Sequence, residues 1–195
     1  MKNLKDLNLG VALCGSFCTF TKAIQTIEDL INLGVNVTPI MSFNAYETST
    51  RFGEASAIIS KIESITGKEI IHSIATAEPL GPKSMIDAIL IAPCTGNTLA
   101  KLNYGITDTP PLLATKSLMR NGKPIIICLA TNDGLGANLK NIGGLINKKN
   151  VFFVPLGQDS PIAKPYSLVA DFSQILPTLE AALDDKQIQP VFIQY

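Results

Sequence analysis

Between residues 88 and 102 the chain reads Ala-Ile-Leu-Ile-Ala, then Pro93-Cys94-Thr95-Gly96-Asn97-Thr98, and then places apolar residues at Leu99 and Leu102. Five apolar residues without alternation suit a strand buried on both faces, as in a parallel sheet covered by helices on each side. The proline stops the run and small polar residues lead into helical spacing, so the stretch reads as strand, tight turn and helix start. In an open α/β sheet such a turn lies at the carboxyl edge of the strands. There the first N–H groups of the helix lack partners and favour an anion or a ring carbonyl. Thr95 and Asn97 would serve equally well as plain helix caps, and spacing alone does not separate the two uses.

The same alternation recurs along the chain. Short apolar runs at 9–14, 35–41, 69–75, 124–130 and 151–156 are separated by helical spacing, as at Ile24, Ile27, Leu30 and Ile31, or at Ala55, Ile58, Ile59, Ile62 and Ile65. Gly34 and Gly67 mark the ends of those two helices. A further helix begins behind Thr109-Pro110-Pro111, and an amphipathic one closes the chain over about 173–183. This pattern predicts a three-layer α/β fold, Rossmann-like and flavodoxin-like, with a mainly parallel sheet of about six strands flanked by helices. With 195 residues, 46% of them hydrophobic, one domain over 1–195 is expected. Its apolar end, Val191-Phe192-Ile193, is read as a docking tail.

Sixteen basic and sixteen acidic residues cancel, so nothing favours nucleic acid or an anionic membrane surface. No run approaches the length of a membrane span and the start lacks a signal-peptide centre, which leads us to expect a cytoplasmic protein. The four cysteines, Cys14, Cys18, Cys94 and Cys128, have no metal spacing and read as free thiols at strand ends, with no metal site.

Several loops carry candidate chemistry. Gly15-Ser16-Phe17 follows the first strand and offers a glycine, a hydroxyl and helix-start amides, the elements of a phosphate site or of an ordinary βα loop. Arg51 stands among hydroxyls and could fork to a carboxylate. His72, the single histidine, is either a general base or a structural residue, and the structural reading is preferred. Gly157-Gln158-Asp159 to Lys164-Pro165-Tyr166 forms a long loop of the kind that is functional or an interface.

Pro93-Cys-Thr-Gly-Asn97-Thr98, with Lys101 and Gly105-Ile-Thr-Asp108 behind it, resembles the Pro-Ala-Ser/Thr-Ala-Asn-Thr signature of the flavin-containing cysteine decarboxylase-like flavoproteins. The resemblance implies FMN on a Rossmann-like sheet, held by Gly15, Ser16, Phe17, Ser42, Phe43, Thr95, Gly96, Asn97, Thr98 and Thr131. Ser42 falls where that family places a Ser or Thr on the flavin or its phosphate. The decarboxylases carry their essential histidine closer to the asparagine turn than His72 lies. Asn132 keeps their carboxylate-holding asparagine, but Leu129, Thr131, Leu135 and Gly136 replace its proline, methionine and tryptophan neighbours.

Further segments, Thr50-Arg51-Phe-Gly53-Glu54, Ala77-Glu-Pro-Leu-Gly-Pro82, Thr131-Asn-Asp-Gly-Leu-Gly136 and Phe153-Val-Pro-Leu-Gly-Gln-Asp159, narrow the resemblance to the dipicolinate synthase B subunits of spore-forming bacteria. That family implies an oxidoreductase component working with a nicotinamide-binding dipicolinate synthase A subunit, which brings NAD(P), to convert a dihydro- or tetrahydropyridine dicarboxylate to dipicolinate in the mother cell. Arg51, Lys101, Asn132 and Lys164 are the candidate carboxylate contacts, and no residue is assigned as catalytic. A homo-oligomer, a trimer or a multiple of it, is expected. Decarboxylation or flavin prenylation, as elsewhere among these flavoproteins, and a non-catalytic scaffold are the competing readings.

Overall fold

The computed structural model describes residues 4–194; residues 1–3 and residue 195, which belong to the start and the tail read above, lie outside the described residues. In chain order the elements are Asn8–Leu13 (β1), Phe20–Asn32 (α1), Asn36–Met41 (β2), Phe43–Glu47 (α2), Ala55–Thr66 (α3), Ile74–Ala77 (α4), Ala88–Cys94 (β3), Gly96–Tyr104 (α5), Pro110–Arg120 (α6), Ile125–Thr131 (β4), Leu139–Ile146 (α7), Val151–Phe153 (β5), Leu156–Gly157 (β6), Leu168–Ala170 (β7) and Ile175–Leu183 (α8). Single 3₁₀ turns at Phe17–Thr19 and Phe172–Gln174 lead into α1 and α8.

Five strands run parallel in the order β2-β1-β3-β4-β5, the flavodoxin-like order, whose direction of travel reverses between β1 and β3. Every residue of β3 is buried, as are all but the first of β1 and the last of β4, because helices cover both faces. Leu9, Ile89, Leu90, Ile91, Ile126 and Ile127 are wholly withdrawn from water, each stabilising the fold by about 1.5–3 kcal/mol. α1 lays Phe20, Ala23, Ile24, Ile27 and Leu30 into this core and stops where Gly34 takes a left-handed conformation.

Three expectations need correction. The sheet has seven strands: β7 pairs antiparallel with the end of β4 through Ala130–Val169 and Thr131–Leu168, and β6 pairs antiparallel with β7. Residues 69–75 form no strand. Ile71 makes one bridge to Ile40, after which Ser73 and Thr76 close a capping box that starts α4. The run 151–156 is broken at Pro155, which has no N–H to extend the ladder, so β5 ends at Phe153 and β6 begins at Leu156. The tail lies along β6: Leu156 N–H donates to Val191 O at 2.8 Å and Ile193 N–H to Leu156 O at 2.9 Å.

The carboxyl ends of the parallel strands are tied by two bonds beyond the regular ladder. Cys14 N–H donates to Pro93 O at 3.1 Å and Ser42 N–H to Leu13 O at 3.0 Å. They hold the turns after β1, β2 and β3 side by side at the point where the strand order reverses, where an open α/β sheet leaves a crevice.

Candidate functional site

Two helix starts converge on that crevice. After β1, the Ser16 amide folds back on Cys14 O at 2.7 Å, while the Gly15, Phe17 and Cys18 amides meet no acceptor among the described residues. After β3, Thr95 caps α5: its hydroxyl accepts from Thr98 N–H at 3.2 Å and its carbonyl from Leu99 N–H at 2.9 Å. The Gly96 and Asn97 amides ahead of these bonds stay open. Thr95 is therefore a cap that also lines the crevice. The positive ends of both helices point at the same space.

Two clefts adjoin there and share Gly15, Thr95 and Asn97. The first, of about 620 Å³, is lined by Gly15, Ser16, Phe17, Cys18, Arg51, Phe52, Thr95, Gly96 and Asn97. Thr131, Asn132, Asp133, Asn138, Asp159, Lys164, Ser167 and Val169 line it as well. The second, of about 490 Å³, is walled by Ser42, Phe43, Asn44, Thr98, Lys101, Asp108, Thr109 and Leu112. The candidate residues thus divide. Arg51, Asn132 and Lys164 gather with Thr131 in the first cleft, whereas Lys101 faces the second with Ser42, Phe43 and Thr98. Lys101 Nζ sits 2.6 Å from Asp108 Oδ2, so its charge is already neutralised. Ser42 is buried and its hydroxyl caps α2, accepting from Ala45 N–H at 3.4 Å.

In the first cleft the cations are freer. Arg51 lies over the Phe52 ring at 4.9 Å and pairs with no carboxylate among the described residues. Lys164 is well exposed and keeps a loose 3.4 Å contact with Asp159. His72 lines neither cleft: its ring stacks on Tyr46 with centroids 3.9 Å apart, and Nδ1 bonds to Ile70 O at 3.1 Å, a structural arrangement.

Two glycines explain the shape. At Gly96 a Cβ would lie 2.5 Å from Asn138 Nδ2 and 2.7 Å from Thr131 Oγ1, so glycine is what lets those polar groups close over the turn. At Gly15 a Cβ would meet the Phe17 ring and Asn44 Cβ at no less than 3.6 Å, an ordinary contact. The protein has room for that methyl, and the space it would fill is the cleft itself. A cradle with open amides, hydroxyls and the volume of a small-molecule site fits a phosphorylated cofactor with a flat polar ring.

Sequence reasoning missed Asn138, Asp133, Ser167 and Phe52. Asn138 is the start of α7 and Ser167 seals the end of β4 by donating to Thr131 O at 3.3 Å. Neither carries a local signal, because both reach the site only through tertiary packing. The cysteines are also placed differently from the reading at strand ends: Cys128 is in mid-strand β4 and Cys18 is exposed on the first turn toward α1. Cys14, Cys94 and Cys128 are buried. Burial pushes the Cys14 thiol up to about 11 against opposing hydrogen bonds from Thr98 and Thr95. It also raises Cys94, helped by its neighbours Cys14 and Cys128, and Cys128 in the same direction. These are inert neutral thiols beneath the crevice.

A family model described as Flavoprotein matches residues 1–175. Over 194 residues the chain is 45% identical to the dipicolinate synthase B subunit of Bacillus subtilis (strain 168), spanning 100% of this chain and 97% of that protein. It superposes on the crystal structure of the dipicolinate synthase B subunit from Bacillus halodurans C with a TM-score of 0.90 and 44% identity, over 98% of each chain. DmrB of Burkholderia xenovorans in complex with FMN, described as a cubic protein cage for redox transfer, shares the fold. Its TM-score is 0.69 and its identity 18%, over 92% of this chain and 96% of that one. The chain belongs to the flavoprotein family and, within it, to the dipicolinate synthase B subunits.

Proposed function

We propose that this chain is a single-domain FMN-binding protein that works with a nicotinamide-binding partner, the dipicolinate synthase A subunit, to oxidise a dihydro- or tetrahydropyridine dicarboxylate to dipicolinate in the mother-cell cytoplasm of a spore-former. The observation that carries the reading is that five residues whose amides have no acceptor among the described residues, Gly15, Phe17, Cys18, Gly96 and Asn97, line one cleft with Arg51, Asn132 and Lys164. Kinship with the dipicolinate synthase B subunits and the FMN complex of DmrB supports it.

In this reading Gly15, Ser16 and Phe17 cradle the phosphate, with Ser42 and Phe43 behind them. Thr95, Gly96, Asn97, Thr98 and Thr131 hold the ring. Bound flavin supplies a hydride acceptor, as does the nicotinamide of the partner. Each dehydrogenation removes one hydride and one proton from the substrate ring, one round for a dihydropyridine and two for a tetrahydropyridine, and this chain's part is to hold that ring still and dry. The Arg51 guanidinium forks to one carboxylate. Lys164 exchanges Asp159 for the other, and Asn132 donates an amide hydrogen to the same group. Lys101, locked to Asp108, takes no share in substrate binding.

Assembly into a trimer or a multiple of it belongs to the same proposal. Exposed Tyr104 and Ile106 at the end of α5, and Leu139 at the start of α7, supply apolar surface for it. A monomeric mass by light scattering at micromolar concentration would remove that part.

The test is an FMN titration followed by fluorescence quenching, with dipicolinate formation assayed in the presence and absence of the partner. Saturable binding by wild type is expected. Asn97→Ala should bind about five- to two-hundredfold more weakly. Gly15→Val should lose binding while its unliganded melting temperature stays near wild type. If wild type binds no flavin while the two-protein mixture still makes dipicolinate, the chain is a scaffold for its partner.

A further inference from the structure

Three asparagines run in file from α5 to the first cleft. Asn103 Nδ2 donates to Asn141 Oδ1 at 3.1 Å, and Asn141 Nδ2 donates to Asn138 Oδ1 at 3.0 Å. Asn141 is buried, and both of its contacts are partly shielded from water. The crossing of α5 and α7 is close enough for this because Gly144 has no side chain; a Cβ there would stand 2.4 Å from Asn103 Oδ1. An amide has one oxygen and one NH₂ group. Since the oxygen of Asn138 is taken by Asn141, its NH₂ group is left to face the cleft, where it stands over Gly96 with no acceptor among the described residues.

Thr131 presents the same polarity beside it. Its Oγ1 accepts from Asp133 N–H at 3.3 Å, which leaves the hydroxyl proton to be donated. Two hydrogen-bond donors therefore meet above Gly96, and neither has an acceptor among the described residues.

We infer that Asn138 is a ligand-polarity determinant of the cleft: held donor-outward by Asn141 and Asn103, it and Thr131 bind one sp² oxygen of the ligand, a ring carbonyl or a carboxylate oxygen. The inference rests on the flavin and dicarboxylate reading of the cleft but adds a residue and a rule, that the ligand atom above Gly96 is an acceptor. Asn138 touches the ligand, whereas Asn141 and Asn103 are positioning residues. An amide chain with a buried centre fixes this polarity, because turning Asn138 over would bring its NH₂ group against that of Asn141 and leave two donors facing each other.

Asn138→Asp keeps the shape and still accepts from Asn141, but at neutral pH it presents a carboxylate where a donor is needed. Affinities are measured for FMN alone and for dipicolinate alone at about pH 8 and about pH 5, each as a ratio to wild type at the same pH. The arm that responds tells whose oxygen is held. For that ligand, Asn138→Asp is expected to bind about ten- to hundredfold more weakly at the higher pH. It should recover part of the deficit at the lower pH, where a fraction of the carboxyl gains a proton it can donate. Asn138→Ala should show a deficit that does not change with pH. Asn141→Ala should weaken binding when Asn138 is present and add nothing on top of Asn138→Ala. Wild-type affinity for both ligands in Asn138→Asp, or a deficit identical at the two pH values, overturns the inference and leaves the flavin reading standing. Failure of wild type itself to bind either ligand overturns both.

Discussion

The two clefts on either side of the Thr95–Asn97 turn are built from the same backbone but differ in what they leave unmatched. In the first, Arg51 has no carboxylate partner among the described residues, Lys164 holds Asp159 only loosely, and open amides from two helix starts face the space. In the second, the cation is consumed by the 2.6 Å Lys101–Asp108 pair and the Ser42 hydroxyl is engaged in capping α2. Volume does not separate them; residual hydrogen-bonding and charge capacity does. A loose exposed pair costs little to exchange for a ligand carboxylate, whereas a tight one must be broken first.

The largest way to break the contrast is Gly96→Ala. The new methyl would lie 2.5–2.7 Å from Asn138 and Thr131, both of which line the first cleft and not the second. FMN affinity should fall by about a hundredfold or more, with a stability loss of about 1–3 kcal/mol from overpacking. Both are read from a flavin titration and a urea melt on the same sample. Unchanged flavin binding would show that the cofactor does not occupy the first cleft. Next in size is Arg51→Ala, expected to weaken dipicolinate about tenfold or more through loss of a charge-assisted bond, with little change in the melt. Calorimetric titration with dipicolinate measures it.

How much of this was legible in the sequence depends on range. The parallel sheet could be read because an unbroken run such as Ile125–Ala130 has no alternative to two-sided burial. The Thr95 turn could be read because caps and glycines act within a few residues. β7 could not be read, since Leu168-Val169-Ala170 acquires strand character only from the edge that β4 offers. Likewise, that Lys101 and Arg51 face different clefts depends on where Asp108 and Phe52 fall in space, and Asn138 enters the site through a helix crossing. Local chemistry announces itself in a sequence. Partnership between distant side chains does not.

Thiol chemistry sharpens the comparison by a different route. Cys18 lines the first cleft and is exposed, while Cys14 and Cys94 lie buried beneath the turn both clefts share. A thiol reagent at neutral pH should therefore titrate one cysteine in the native chain and all four in denaturant, and saturating FMN should slow the single native reaction. Equal rates with and without flavin would argue against the first cleft. The raised Cys14 thiol also gives a pH dependence. Folding favours the protonated form, so the native state holds a proton that the unfolded chain releases above its ordinary value near 9. That contribution to stability is complete below about pH 9 and is lost as pH rises toward about 11, by on the order of 2 kcal/mol. Cys14→Ala should flatten the decline in urea melts over that range.

The smallest effect belongs to the second cleft. Lys101 is largely shielded, but Asp108 is half exposed, so their attraction is partly screened by water even at 2.6 Å. A double-mutant cycle of Lys101→Ala and Asp108→Ala should give a coupling of about 0.2–1 kcal/mol in urea melts, shrinking at high salt as screening increases. Lys101→Ala should leave dipicolinate affinity unchanged, because its charge is already answered within the chain. Asp108→Ala is the more telling half of the pair: it frees the ammonium without moving the backbone and gives the second cleft the unmatched cation that distinguishes the first. Weak new anion binding in that variant, absent from wild type and from the double mutant, would show that residual charge rather than shape separates the two clefts. If Lys101→Ala instead weakens dipicolinate as much as Arg51→Ala does, the two clefts work as one site and the division drawn between them fails.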